Sequence, residues 1–573
     1  MKNVKNLFGM AVMATALVGC SSNDNLNPNA NEGADKAGTA YASFKINLPT
    51  VSGTRAPGDP DGTPDFKPGD AAEYEVKNGT ILIFDTDGKF VESAELGTMN
   101  PWTKDTDPNG VTTAAAVTVQ LHNVKVGTSY KALVLLNNDV DATTKKVTLP
   151  NEGDSYYTWS ATVGNANASK YESTADGIFM ANAPKYKNDS ENPTTLVDFN
   201  SVYASREQAQ ANPATVVYVE RGLAKVTMDD FASNYLIAAG TYKGDNVKIV
   251  NWQLDVTNKS TFPIHQADLK SKWSTVWSEP RFYDTKESSA FKRVYWGTDP
   301  NYSGTDNLTL TNCQAAFKMI GNGDVKGLAG IANPQYCLEN TFDLDNMMQG
   351  QTTRVVFKAV YTPKGFTGTE KTFYKVANNT AVWHEADLKQ QILTLAIKAM
   401  KITDPDEQAM YSVDLSKGSN ISGTAGQHFV AAENIKFDPG ESTKTSKVND
   451  GVINEINEKL GLSEADPTNH KEKVGISTYL NGEAYYIARI KHFNELTPWT
   501  TGEAYGTKNE KYLGRYGVLR NNWYSLSVKS ISNLGYPEVP EVKPTEPDDE
   551  NSKYINVEVK ILDWALRKQV IEL

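Results

Sequence analysis

The chain's six histidines and three cysteines are its natural metal ligands, bases and nucleophiles, and they are scattered over 573 residues. His384-Glu385-Ala386-Asp387-Leu388 opens like a zinc-protease helix, but the second His that would share the metal is missing. Asp85-Thr86-Asp87-Gly88 carries the alternating oxygens of a calcium loop, yet no acid stands at the twelfth position to close the coordination shell. A hairpin turn is the simpler reading. Asp59, Asp61 and Asp65 in APGDPDGTPD make the same weak case and read as a solvated loop. Gly321-Asn322-Gly323 runs on to Gly327 with the wrong spacing for a phosphate loop, and no Gly-x-Ser-x-Gly appears. Cys313 and Cys337 form a possible disulfide in an exported chain, or stay two buried thiols. Two cysteines alone make no zinc site. Nothing pairs a nucleophile with a base, so the expectation is a protein that is not an enzyme and uses no cofactor or metal.

Two places suit chemistry done to the chain instead. MKNVKNLFGMAVMATALVGC has two lysines, an apolar run and small residues, the pattern of a signal peptide (1–19) too short to span a membrane as a helix. It ends in Leu17-Val18-Gly19-Cys20, which resembles the bacterial lipobox. That resemblance implies cleavage before Cys20 and lipid on its thiol. Ser21-Ser22-Asn23-Asp24 follows, and the absence of Asp directly after the cysteine favours the outer membrane. The second place is Arg55-Ala56. Arg55 is the only basic residue between Lys45 and Lys67, and it lies among Gly, Pro and Asp, where a loop would be open to proteases.

The elements around these sites are mostly strands. GTILIFDTDGKFVESAEL (79–96) is two apolar runs about Asp87-Gly88, a strong hairpin signal. Further strand patterns cover 114–126, 130–138, 216–228 (one long strand containing a Gly), 251–264, 352–363, 484–490 and 522–535. Helical patterns are confined to 386–400 and 452–462. Strands at short spacing between Gly, Asn and Pro turns predict sandwiches, with a boundary between domains near 235. The net charge of −12, with no basic stripe to neutralise phosphates, excludes a nucleic-acid partner.

Two strands bracket the protein. In YASFKINLP (41–49), Ala42, Phe44, Ile46 and Leu48 fall on one face; in YINVEVKIL (554–562), Ile555, Val557, Val559 and Ile561 do. The first precedes Arg55. The second follows GYPEVPEVKPTEPDDENSK, an acidic, proline-spaced run that should not fold. Trp564 falls out of phase with the terminal strand, so a bulge is expected near Leu562-Asp563. Either both strands belong permanently to their own subunit, or they exchange. In the second case a cut after Arg55 frees the first strand. The vacated groove exposes apolar side chains and unpaired backbone groups, and a neighbour's tail refills it over about 23 Å. Head-to-tail addition of this kind gives a filament.

On these features the chain resembles the fimbrillins of Bacteroidales, most closely the shaft (major) subunits of minor fimbriae. The motifs are Cys20, Arg55-Ala56, YVERGLAKV (218–226), Trp252 in NWQLDV, YWGTDPNY (295–302), YCLENTFD (336–343), VLRNNWYSLSVKSISNLGYP (518–537) and the VEVKILDW…VIEL ending. The stretch around 400–470 carries none. The resemblance implies a mainly β fold with few short helices and two β-sandwich, transthyretin-like domains, 56–235 and 236–535. It implies a lipidated propeptide (20–55) with a removable strand, a linker (536–553) and a C-terminal donor strand (554–573). It further implies a structural subunit of a cell-surface fimbria, anchored in the outer membrane until an Arg-specific (gingipain-type) protease cuts it. Its partners would be other copies of itself and fimbrial tip and anchor subunits, and its role adhesion and biofilm. A monomeric surface lipoprotein, acting as adhesin or glycan-binding module, is the competing reading. Arg221 and the aromatic pair Trp296 and Tyr302 could be taken for ligand contacts; core-like surroundings make them structural.

Overall fold

The computed structural model describes residues 39–49, 70–97, 111–164, 168–185, 193–267, 294, 296–302, 308–330, 332–341, 346–366, 369–466, 473–491, 516–548, 555–562 and 567–569. Strands dominate, and the helices are few and short. The alternation in YASFKINLP forms β1 (Ala40–Pro49). β2 (Gly79–Phe84), β3 (Phe90–Glu95), β4 (Val111–Leu121), β5 (Tyr130–Leu136), β6 (Met180–Asn182), β7 (Val197–Phe199) and β8 (Thr215–Arg221) join it. Their order is β3-β2-β5-β6-β8-β1-β4, with β7 also on β5. The β2–β3 turn uses Gly88 at φ +79, which a side chain would resist.

One core unites Phe44, Ile46 and Leu48 of β1 with Ile81 and Ile83 of β2, Val134 and Leu136 of β5, and Val217 and Val219 of β8. The other faces of β2 and β5 enter a second cluster with Tyr156 and Phe179. Burial on both faces explains why Ile81-Leu82-Ile83-Phe84 is an unbroken apolar run.

The run 216–228 is two strands, not one. β8 ends at Arg221, and β9 (Ala224–Met228) belongs to a different sheet. Gly222 donates its N–H to the Phe179 carbonyl at 2.9 Å, and the Leu223 carbonyl accepts from the Asn521 amide at 2.7 Å. Successive residues thus bond to different bodies, and the chain changes sheets here, upstream of the boundary expected at 235. There follow β10 (Tyr235–Leu236), β11 (Asn246–Asp255), β12 (Thr257–Asn258), β13 (Phe317–Lys318), β14 (Gln335–Cys337) and β15 (Arg354–Thr362).

A separate module comes next. β16 (Phe373–Val376), β17 (Val382–Trp383), β19 (Gly426–His428) and β21 (Ile476–Tyr479) form one small sheet. β18 (Tyr411–Val413) and β20 (Ile435–Phe437) form another. Helix Glu385–Ala399 contributes Leu388, Ile392 and Ala396, one stripe at four-residue spacing, and helix Asp450–Lys459 contributes Ile453 and Ile456. These side chains share a core with Tyr374 and Ile476. Asn449 caps the second helix by accepting from the Val452 amide.

β22 (Glu483–Arg489) then returns to pair with β15, and β23 (Trp523–Ile531), β24 (Ile555–Leu562) and β25 (Arg567–Gln569) complete the chain. Sheets β10-β11-β15-β22 and β14-β9-β23-β24-β25 contribute to one core, which contains Val226, Met228, Trp252, Phe357, Tyr361, Tyr486, Tyr524 and Leu526.

Candidate functional site

β1 occupies a slot between two strands. It runs antiparallel to β4 from Ala40, opposite Leu121, to Pro49, opposite Val111. Over Phe44–Asn47 it also runs parallel to β8, from Thr215 to Tyr218. Ala42 is 1% exposed, and Phe44, Ile46 and Leu48 are 0% exposed. The Phe44 ring meets Phe199 edge-on at 5.1 Å. Burying the three large side chains is worth about 5–9 kcal/mol. On the other face, Ser43 donates to the Ala209 carbonyl and shares a hydrogen bond with Thr118, both at 2.8 Å. Ala209 lies on helix Arg206–Ala211, whose Arg206 sits over the Tyr41 ring.

The terminal strand lies elsewhere. β24 pairs antiparallel with β23 of its own chain, and the register sets Ile555, Val557, Val559 and Ile561 opposite Ile531, Val528, Leu526 and Tyr524. The irregularity in this pair falls between Val528 and Ser530 of β23. The bulge expected near Asp563, and Trp564, lie outside the described residues.

The proline-spaced run before β24 does not behave as an unfolded leash. Tyr536 exchanges backbone hydrogen bonds with Tyr485, both 2.8 Å. The Pro540 carbonyl accepts from Arg354 at 2.7 Å, and the Val539 amide donates to Asn322 at 2.6 Å. Near its end, Gln349 N–H reaches the Glu546 carbonyl at 2.9 Å. The Asp548 carboxylate accepts from the Thr352 hydroxyl at 2.7 Å. Proline spacing removes helix and sheet options for the run, but it leaves carbonyls free to accept from neighbours. Residues 536–548 are a docked strap.

The quoted motifs, far apart in sequence, converge on one buried junction between the sheets. Lys225 of YVERGLAKV pairs with Glu73 at 2.5 Å, both 1% exposed, and its ammonium lies 3.8 Å from the Trp523 ring centroid. Glu73 also accepts from the Tyr336 hydroxyl at 2.6 Å, and its carbonyl accepts from Arg221 at 2.8 Å. Burial raises the Glu73 carboxyl, but the Lys225 charge and hydrogen bonds from Lys225, Tyr336 and Asp70 outweigh it and hold it below the usual range. Arg221 reaches Asn521 at 3.2 Å. Beside them, Glu220 meets His265 at 2.6 Å, and Arg520 pairs with Glu339 while bonding the Phe262 carbonyl at 2.8 Å. Asp299 accepts from Asn258 at 2.5 Å and from the Asn301 amide at 2.8 Å. Burial pushes its carboxyl up to about 7, with the Glu339 charge adding and the hydrogen bonds from Asn301 and Asn258 opposing. Trp296 and Tyr302 are 0% and 7% exposed, and the Tyr302 hydroxyl donates to the Gln351 carbonyl at 2.7 Å. Arg221, Trp296 and Tyr302 are thus packed inside the protein. Glu73 and His265 gave no signal of this junction, because their charged partners Lys225 and Glu220 lie far away in the chain; Asp299 falls within YWGTDPNY.

The other chemical candidates resolve into structure. Asp85 accepts from the Asp87 and Lys89 amides and so builds the hairpin turn. His384 stacks on Phe366 at 3.8 Å and bonds Glu370. The Gly321 amide is taken by Asp324 at 2.9 Å. The possible Cys313–Cys337 disulfide is not formed: both are buried free thiols. Cys337 sits on β14 opposite Ala224, whereas Cys313 lies in a helix against Gly350. No group of three or more His, Cys, Asp or Glu among the described residues could hold a metal ion. No helix among them is long and apolar enough to cross a membrane. Cys20, Arg55, Ala56, Asp59, Asp61 and Asp65 lie outside the described residues.

Comparison with known proteins bears on the C-terminal part. Among solved structures, a fimbrial assembly protein from Parabacteroides distasonis aligns at 13% identity, over 58% of this chain and 82% of that one, with a TM-score of 0.26. No curated protein matches. Residues 477–570 match the family described as "Major fimbrial subunit protein type IV, Fimbrillin, C-terminal". The stretch running from the end of β21 through the strap to the terminal strand is therefore similar to the C-terminal part of major fimbrial subunits.

Proposed function

We propose that the chain is a structural, non-enzymatic subunit of a cell-surface fimbria, built to polymerise. The observation that carries this is the family match over 477–570, because it spans β22, β23, the strap and β24 together. On this reading the chain is exported as a lipoprotein through Cys20, held at the outer membrane, and cut between Arg55 and Ala56 by an Arg-specific protease. β1 then leaves, and residues 555–562 of a second copy enter the slot between β4 and β8. The sheets on either side of β9 are read as two transthyretin-like sandwiches, and the filament as a shaft that also meets tip and anchor subunits. The slot supports this: without β1, the facing edges of β4 and β8 would lose their backbone partners.

One observation favours the second reading, a monomeric surface lipoprotein acting as adhesin or glycan-binding module. β24 lies on β23 of its own chain, as a permanent resident would. The mature N-terminus decides between them. Residues 1–55 carry five basic and three acidic groups, so cutting after Arg55 takes the net charge from −12 to −14. Mass spectrometry of surface filaments should find Ala56 first. Arg55→Ala should leave a lipidated, unpolymerised precursor, and Cys20→Ala should lose surface display. Filaments of ordinary length from Arg55→Ala would defeat the exchange reading.

A further inference from the structure

We propose that Asn47 sets how long β1 stays in its slot once the chain is cut, by making β1 a weak occupant that a second copy's terminal strand can displace. The proposal rests on the strand-exchange reading above. Asn47 is paired on both sides, with Ala114 of β4 and Tyr218 of β8. It is 4% exposed, yet its side-chain carbonyl Oδ1 has no hydrogen-bond partner. Ser43, on the same face of the strand, is by contrast fully engaged with Thr118 and Ala209. The core face offers no such weakness, since Ala42, Phe44, Ile46 and Leu48 are apolar and buried.

A buried acceptor left without a donor loses its hydration and gains nothing in return, enough to shift a binding equilibrium by about tenfold or more. While β1 is part of the same chain, the connection holds it in place at high effective concentration, and the precursor tolerates the defect. After a cut between Arg55 and Ala56, β1 is a separate peptide whose residence depends on its own contacts. Affinity differences of this kind appear mainly in the dissociation rate. Asn47 therefore lets one strand be secure before cleavage and replaceable after it.

The test uses the purified full chain and an Arg-specific protease. Release of the fragment ending at Arg55 is followed by gel filtration and mass spectrometry, alongside filament growth. Asn47→Leu, close in shape and without the orphaned carbonyl, should release the fragment about tenfold more slowly and delay filaments to match. Asn47→Val should act in the same direction if Leu impairs folding. Asn47→Asp, which buries a charge there, should release faster than wild type. Equal release rates in wild type and Asn47→Leu overturn the proposal. Failure to cut after Arg55, or filaments that grow while the fragment stays bound, overturns the exchange reading and this proposal with it.

Discussion

β1 and β24 share a period-two alternation and differ in what surrounds them. β1 is bonded along its length by β4 and partly by β8, inside the first sheet. β24 runs along β23, and among the described residues its other side meets β25 at Val559–Ile561. Alternation says which residues share a face; it says nothing of how many neighbours the backbone will have. β1 completes a core, so its loss unmakes a unit. β24 extends a sheet whose core residues already pack against β11, β15 and β22, so its loss should spare the fold. A strand that can be lent must be of the second kind, and a slot that can accept one must be of the first.

The sharpest way to break this contrast is Phe44→Asp. Phe44 is 0% exposed against Phe199, and an unpaired carboxylate there should cost more than about 4 kcal/mol and prevent the first sheet from folding. Phe44→Ala should lower stability by about 3–5 kcal/mol in urea titration. Truncation after Asp548, which removes β24 and β25, should leave the first sheet's unfolding midpoint where it was and yield a chain that stays monomeric after cleavage. Unfolding of that truncated chain would show that β24 is as deeply committed as β1. Val557→Asp, at the register position opposite Val528, should also stop polymerisation without unfolding the precursor.

A smaller effect separates strap from strand. Truncation after Leu534 removes the acceptors at Pro540 and Asp548 that Arg354 and Thr352 use. At about 0.5–1.5 kcal/mol for each of these two lost hydrogen bonds, it should be about 1–3 kcal/mol less stable than truncation after Asp548. Equal stabilities would return the strap to the status of a loose leash.

Period and turn chemistry made much of the fold legible. The hairpin about Asp87-Gly88 and the helical stripes near 386–400 and 452–462 were open to local reading, because their determinants lie within a few residues. So was β1, whose core face repeats every second residue. The break at Gly222-Leu223 was not, because it depends on Phe179 and Asn521, bonds that no local window contains. The strap was misread for a related reason: a proline-rich, acidic composition predicts that a segment cannot build its own sheet, not that no neighbour will bind its carbonyls. At the junction, the motifs were visible one by one, Asp299 within one of them, but Glu73 and His265 were not, since a buried ion pair acquires meaning only when both partners are placed. Asn47 alternates with the core residues of β1, so period alone would point it outward; its burial follows from strands β4 and β8 on either side, which no local window contains.

A last effect concerns the junction, which should respond to pH while both terminal strands stay put. Asp299 has an ordinary carboxyl value of 3.8, and burial pushes it up to about 7 in the folded chain, with Glu339 adding to the rise. An acid whose folded value lies above its unfolded one binds more protons when folded. Its contribution to stability is full below the unfolded value and is lost as pH rises through the folded one. Asn301 and Asn258 oppose this by donating to the carboxylate, and Arg520 stands nearby, paired to Glu339. Thermal melts of wild type and Asp299→Asn between pH 4 and 8 isolate the group, because the variant does not titrate there. The wild type should lose ground steadily from about pH 4 to about pH 7, by no more than about 1.4 kcal/mol per pH unit for one proton, and then run parallel to the variant. If the wild type instead gains on the variant as pH rises, the hydrogen-bond donors hold Asp299 ionised, and burial is not what governs the junction.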